Sequence, residues 1–163
     1  MMDFAKRLLA VPPMALTLGL LGLIPFITGG VGIWLAGLGD LRFALPLIVI
    51  AYGCLIASFL GGVRWGAAMQ NDMQNDAQNT ESAKLTRHLV MAIVPTLIAL
   101  VAFMLPLPQA FTLLIILFIA QAVLDINSTH QGDMAAWYAP LRMLLTAVAG
   151  LSMTSLLVHA LTH

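Results

Sequence analysis

Three charged residues stand at the edges of long apolar runs: Arg64, Asp125 and Arg142. A carboxylate and two guanidiniums can form short, bidentate ion pairs or grip a polar head group. Gln121 lies one turn before Asp125 on the same helical face. Ser58, Gly61, Gly62 and Trp65 recur at i, i+3, i+4 and i+7, one face of an earlier helix with small residues that admit a close neighbour. Trp65, Trp137 and Tyr138 flank the charges. The candidate site is therefore Ser58, Arg64, Trp65, Gln121, Asp125, Trp137, Tyr138 and Arg142. A polar stripe of Gln121 and Asp125 facing Ser58 and Arg64 would make a small pocket. Plainer readings stand beside this one: charges at helix ends snorkel into head groups, Trp and Tyr form interfacial belts, and a lone Gln bonds two helices together.

Other chemistry finds no support. His88, His130, His159 and His163 lie at helix ends or in connections with no HExxH spacing, so no metal is expected. The ten methionines are scattered. Cys54 is a lone cysteine in an apolar run and reads as a small buried hydrophobe. Gly61-Gly62 lacks the surroundings of a phosphate loop. No nucleophile, acid–base pair or cofactor motif is legible, which leaves enzymatic catalysis unsupported and no catalytic residue or cofactor to name. The span centres hold no Asp, Glu, Lys, Arg or His, against the habit of proton relays and ion pumps.

The elements that must position these residues follow from composition. The chain has 163 residues, of which 61% are hydrophobic and 9% charged, and its mean hydropathy is +0.98. A soluble domain carries about 25% charged residues, so this chain cannot cover a water-facing surface. The net charge is zero with no basic stripe, which excludes nucleic acid as a partner. Crossing the hydrocarbon takes about 20 apolar residues, and only helices satisfy their own backbone there. Five runs qualify, at about 14–38, 43–66, 88–105, 109–126 and 140–161. The fold expected is all-α, a single bundle of five transmembrane helices, with a polar, flexible loop over 70–87 and a second loop over 126–140. Lys6 and Arg7 before the first run are reminiscent of a signal peptide, but the run is too long and no cleavage site follows. Pro25 should kink that helix, and Pro95 the third.

Basic residues set the orientation. Lys6, Arg7, Arg64, Lys84, Arg87 and Arg142 fall on one side and Arg42 alone on the other. The positive-inside rule then places the N-terminus, and the polar cluster, on the cytoplasmic side and the C-terminus opposite, in a bacterial inner membrane. With Asp125 ending one helix and Arg142 opening the next, both oppose the helix dipole, at roughly 0.3–1 kcal/mol each. A contact of Asp125 with Arg142 or Arg64 would offset this.

The run Tyr52-Gly53 and Ser58-Phe59-Leu60-Gly61-Gly62-Val63-Arg64-Trp65-Gly66 resembles the signature of a membrane family known as domain of unknown function 3429, which includes the mitochondrial transmembrane protein 69. Gly22-Leu23-Ile24-Pro25-Phe26, Val94-Pro95, Asp125, Trp137-Tyr138, Leu141-Arg142 and Leu145-Thr146 complete the resemblance, which reaches from about Leu18 to Leu157. It implies a five-helix protein of bacterial and organelle inner membranes and carries no activity. The Asn/Gln-rich segment 70–78 departs from it and reads as an insertion. The tryptophan-rich sensory proteins also have five helices, but their Trp-rich first loop is missing here.

Three functions stay open at this level. One is a binding module holding a lipid, quinone or similar amphiphile between the second, fourth and fifth helices. The second is an assembly or scaffolding factor using glycine-rich faces. The third is a small oligomeric transporter or channel. The partners expected are membrane lipids, with a second copy or another membrane protein left open.

Overall fold

A computed structural model of the chain describes residues 8–35, 39, 41–74 and 82–163; Lys6, Arg7 and the side chains of Arg42, Lys84, Arg87 and His88 lie outside the described residues. Six helical segments follow in order: α1 (Pro13–Leu21), α2 (Ile24–Gly32), α3 (Leu41–Gln74), α4 (Ser82–Met104), α5 (Leu107–His130) and α6 (Tyr138–Thr162). No strand occurs among the described residues. Segments α1 and α2 are two halves of one apolar stretch, Pro13–Gly32, so the chain is an all-α bundle of five helices, four of them long and apolar enough to cross a membrane and the fifth, α4, with a shorter apolar part.

Local chemistry explains the boundaries. Pro13 opens α1 and Pro25 sits in the first turn of α2, where a missing N–H costs nothing. Between them the helix breaks at Gly22–Leu23. The Gly22 carbonyl accepts a hydrogen bond from the Tyr52 hydroxyl at 3.0 Å. A backbone group freed within lipid needs such a partner. The kink expected at Pro25 is thus a break one turn earlier. Pro46 and Pro95 lie inside continuous helices.

Two connections are shorter than the sequence suggests. Helix α3 runs on to Gln74 and α4 begins at Ser82, so much of the loop expected over 70–87 is helical, and 75–81 lies outside the described residues. No Gly or Pro follows Gly66 to stop the helix. Helix α5 likewise passes its expected end and closes at His130. There Gly132 adopts φ +84°. The Gly132 N–H donates to the Thr129 carbonyl (3.2 Å) and the Asp133 N–H to the Ser128 carbonyl (3.0 Å). This is a Schellman stop, which glycine allows without strain. The apolar part of α4, Leu89–Met104, is shorter than the other spans. It is about 24 Å long at 1.5 Å per residue, and its polar first turns extend the helix beyond that.

The helices close a ring, α3–α4–α5–α6–α2–α3, with α5 also touching α3 across the middle and α1 lying on α6. Helix α5 supplies the core: Phe111, Leu114, Phe118, Gln121 and Asp125 are all buried along one face. Phe26 packs edge-on to both Phe118 and Tyr52. Glycines bring backbones together. A Cβ on Gly61 would run into the Ala92 carbonyl of α4, and one on Gly30 would lie 2.9 Å from the backbone of Ser152 in α6. Cys54 is half-buried rather than buried, and its thiol donates to the Ala99 carbonyl at 3.2 Å. The outward faces carry large exposed apolar side chains such as Leu55, Phe59, Leu97, Phe103, Ile116 and Leu151. Water would penalise that surface and lipid does not.

Candidate functional site

The polar cluster assembles where α3, α5 and α6 meet. Gln121 and Asp125, one turn apart on the inward face of α5, are each 1% exposed. Asp125 bridges two arginines. Its Oδ1 accepts from Arg64 Nε of α3 at 2.6 Å, and its Oδ2 accepts from Arg142 Nε of α6 at 3.0 Å. Arg64 Nη2 also donates to the Gln121 carbonyl at 3.1 Å. The Gln121 amide then donates to the Ala57 carbonyl of α3 at 3.0 Å. Four side chains and two backbone carbonyls thus tie three helices at one level. The Arg142 guanidinium carbon also stands 5.8 Å from the Phe118 ring centroid, within cation–π range.

The expected pairing of Asp125 with one arginine is therefore a shared carboxylate between two. The dipole argument weakens, because α5 continues five residues past Asp125 and α6 starts four residues before Arg142. Dipole effects fade beyond the terminal turn. The larger consequence concerns charge. One carboxylate faces two guanidiniums, and a guanidinium stays protonated in proteins. The buried cluster holds a surplus positive charge, with Arg142 only 3% exposed.

Not every expected residue joins. The Ser58 hydroxyl donates to the Cys54 carbonyl of its own helix at 2.9 Å, so it does not face the cluster. Trp65 is exposed and donates to Met69 Sδ, also on its own helix, at 3.1 Å. Of the glycines beside it, Gly61 packs on α4, whereas Gly62 has open space. Trp137 is half-buried and meets Tyr138 edge to face at 6.1 Å. The structure thus brings together Arg64, Gln121, Asp125 and Arg142, with Tyr138 and Trp137 alongside.

Four buried polar atoms in or beside this cluster have no hydrogen-bond partner: Gln121 Oε1, Tyr138 OH, Arg142 Nη2 and Thr146 Oγ1. Tyr138, Arg142 and Thr146 recur every fourth residue along α6. Such orphans cost roughly 1–3 kcal/mol each, more when charged.

Tyr138 and Arg142 also line a groove of about 600 Å³. One wall is the broken first span, through Leu18, Gly22 and Phe26; the opposite wall is α3, through Ile56, Phe59 and Val63. Phe118, Leu141 and Leu145 floor it, and Trp137 and Asp133 come from the connection before α6. The sequence suggests a pocket among the second, fourth and fifth helices; the first span is the wall it does not reveal. Phe118 is a further site residue without a sequence signal, because an apolar residue on a membrane helix looks like its neighbours. Trp137 lines a smaller cavity of about 450 Å³ as well, with His130 and Thr129. Among the described residues no group of three or more His, Cys, Asp or Glu side chains converges as a metal site would require.

No solved structure matches the chain. Transmembrane protein 69 of Xenopus tropicalis is 30% identical over 157 residues, which cover 95% of this chain and 58% of the relative. The chain thus spans a little over half the length of that relative. A family model described as a protein of unknown function, DUF3429, matches residues 11–158. From just before α1 to near the end of α6, through every helix that builds the cluster and the groove, the chain belongs to the DUF3429 family.

Proposed function

We propose that this membrane protein is a binding module for a small amphiphile, held in the groove between the broken first span and α3. One observation carries the reading. An apolar groove of about 600 Å³ is lined by Tyr138 and Arg142, and the Tyr138 OH and Arg142 Nη2 are buried with nothing to bond. Ligand sites are commonly apolar clefts of roughly 300–1,000 Å³ with a few convergent polar groups. The tail lies against Leu18, Phe26, Phe59 and Leu145, and the head reaches Tyr138 and Arg142. The asymmetry of basic residues supports placing this head site in the cytoplasmic leaflet of a bacterial inner membrane, N-terminus inside.

The test is retention of a small molecule. Purified protein should carry a defined amphiphile, seen by native mass spectrometry. Enlarging the groove wall with Gly22→Leu should expel it while the helix content by circular dichroism stays unchanged. A protein that carries nothing in any mild detergent would exclude the reading.

A second reading rests on a different face. Gly62 and Gly66 stand one turn apart on α3, both exposed with no atom near either. Small residues in this spacing let a second helix approach closely. They suit assembly with another copy or another membrane protein. Crosslinking from a cysteine at Gly62 would capture such a neighbour.

A further inference from the structure

The groove selects by charge as well as by greasiness. We infer that its occupant is an anionic membrane lipid, whose phosphodiester head takes the hydrogen bonds that Arg142 Nη2 and Tyr138 OH leave open. The inference rests on the groove being a binding site and adds the class of ligand.

Both oxygens of Asp125 are already taken, one by each arginine. Arg64 uses its Nη2 on the Gln121 carbonyl. Arg142 has a buried Nη2 with no acceptor on the protein, and it lines the groove. A neutral acceptor such as a quinone carbonyl would satisfy the N–H and leave the surplus charge standing. A phosphodiester carries one negative charge and several acceptor oxygens, so it answers both. Charge-assisted bonds of this kind are the stronger class. Two further features agree. The Tyr138 hydroxyl, one turn from Arg142, offers a second donor. Tyr138 itself opens α6, in the terminal turn where the helix dipole favours an anion. Asp133 lines the groove too, from the connection, and is half-buried.

Tryptophan fluorescence reads this directly. Trp137 lines the groove, whereas Trp65 is exposed on the outer face of α3. A variant with Trp34→Phe and Trp65→Phe keeps only Trp137. One with Trp34→Phe and Trp137→Phe keeps only Trp65 and reports the surrounding lipid. Each is placed in phosphatidylcholine nanodiscs doped with brominated phosphatidylglycerol or, separately, brominated phosphatidylcholine, whose bromines quench nearby indoles.

At Trp137 the anionic lipid should be preferred roughly tenfold, the smaller end of what one charge-assisted hydrogen bond confers. At Trp65 the preference should be far smaller. Arg142→Leu, which leaves the balanced Arg64–Asp125 pair, and Tyr138→Phe should each lower the preference at Trp137. If both brominated lipids quench Trp137 equally and more than a water-soluble quencher does, the groove binds chains without reading charge; the inference fails and the binding module stands. The inference also fails, with the binding module intact, if a neutral benzoquinone with a decyl tail displaces the anionic lipid at equal concentration. If neither lipid quenches Trp137, both readings fail.

Discussion

The first membrane span meets its neighbours in two different ways, and the difference locates the site. Its second half, α2, is clamped. Gly30 lets the backbone press on Ser152. Ser155 donates to the Gly30 carbonyl at 2.7 Å, and Trp34 donates to Ser155 at 2.8 Å. Its first half, α1, rests on α6 and stands off from α3 across the groove. The break at Gly22–Leu23 separates the two behaviours, and Tyr52 pins it from α3. Where the helices are in contact, Trp34, Ser155 and the Gly30 carbonyl bond one another. Where they part, two buried donors have no partner.

Five single substitutions probe that contrast. The largest effect should come from Asp125→Leu, which strands two buried guanidiniums. Loss of a buried partner costs on the order of 3–5 kcal/mol, read as a collapse of stability in detergent unfolding. Adding Arg142→Leu to Asp125→Leu should recover part of it. Next comes a matched pair of glycines. Gly30→Ala pushes a Cβ into the Ser152 backbone, where nothing can give, and should cost about 1–3 kcal/mol. Gly19→Ala meets only the tip of Leu145 at 3.0 Å on the groove side and should be nearly silent in the same assay. Equal losses would mean that the two halves of the span are packed alike.

Smaller still is Tyr138→Phe. It removes a hydroxyl without a protein partner, so stability should hold or rise by about 1 kcal/mol while amphiphile retention falls. A clear loss of stability would show that the hydroxyl already has a structural role. The mildest is Ser155→Ala. Interhelical hydrogen bonds in membranes average about 0.6 kcal/mol, and a change of that size is expected, with a shifted Trp34 emission as its spectroscopic sign.

Much of this architecture is legible in the sequence, and for identifiable reasons. The helix count follows from hydropathy, because lipid leaves the backbone no other choice. Arg64, Asp125 and Arg142 stand out as charges against an apolar background, and the structure does gather them. Helix ends are harder. Polar stretches such as Asn127-Ser128-Thr129-His130 resemble loop, yet they continue α5 until Gly132 supplies its stop. Gly132 is the signal that marks this end, and it lies several residues beyond the last apolar one. Ser58 and Trp65 share the helix with Arg64, but a hydroxyl can bond its own backbone and an indole its own neighbour, so periodicity overstates their reach. The share of the first span in the groove is out of reach of the sequence. Pro25 announces a bend, but which neighbour a bent helix leaves behind depends on packing that no single segment encodes.

The central claim is that the gap between α1 and α3 holds an amphiphile by the head at Tyr138 and Arg142. Native mass spectrometry of the purified protein, released gently from mild detergent, tests it most directly. The expected result is a bound mass of one defined amphiphile, reduced in Tyr138→Phe and unchanged in Ser155→Ala, which alters only the clamped seam. A protein peak without adduct, or an adduct that survives equally in Tyr138→Phe and Arg142→Leu, would contradict the account.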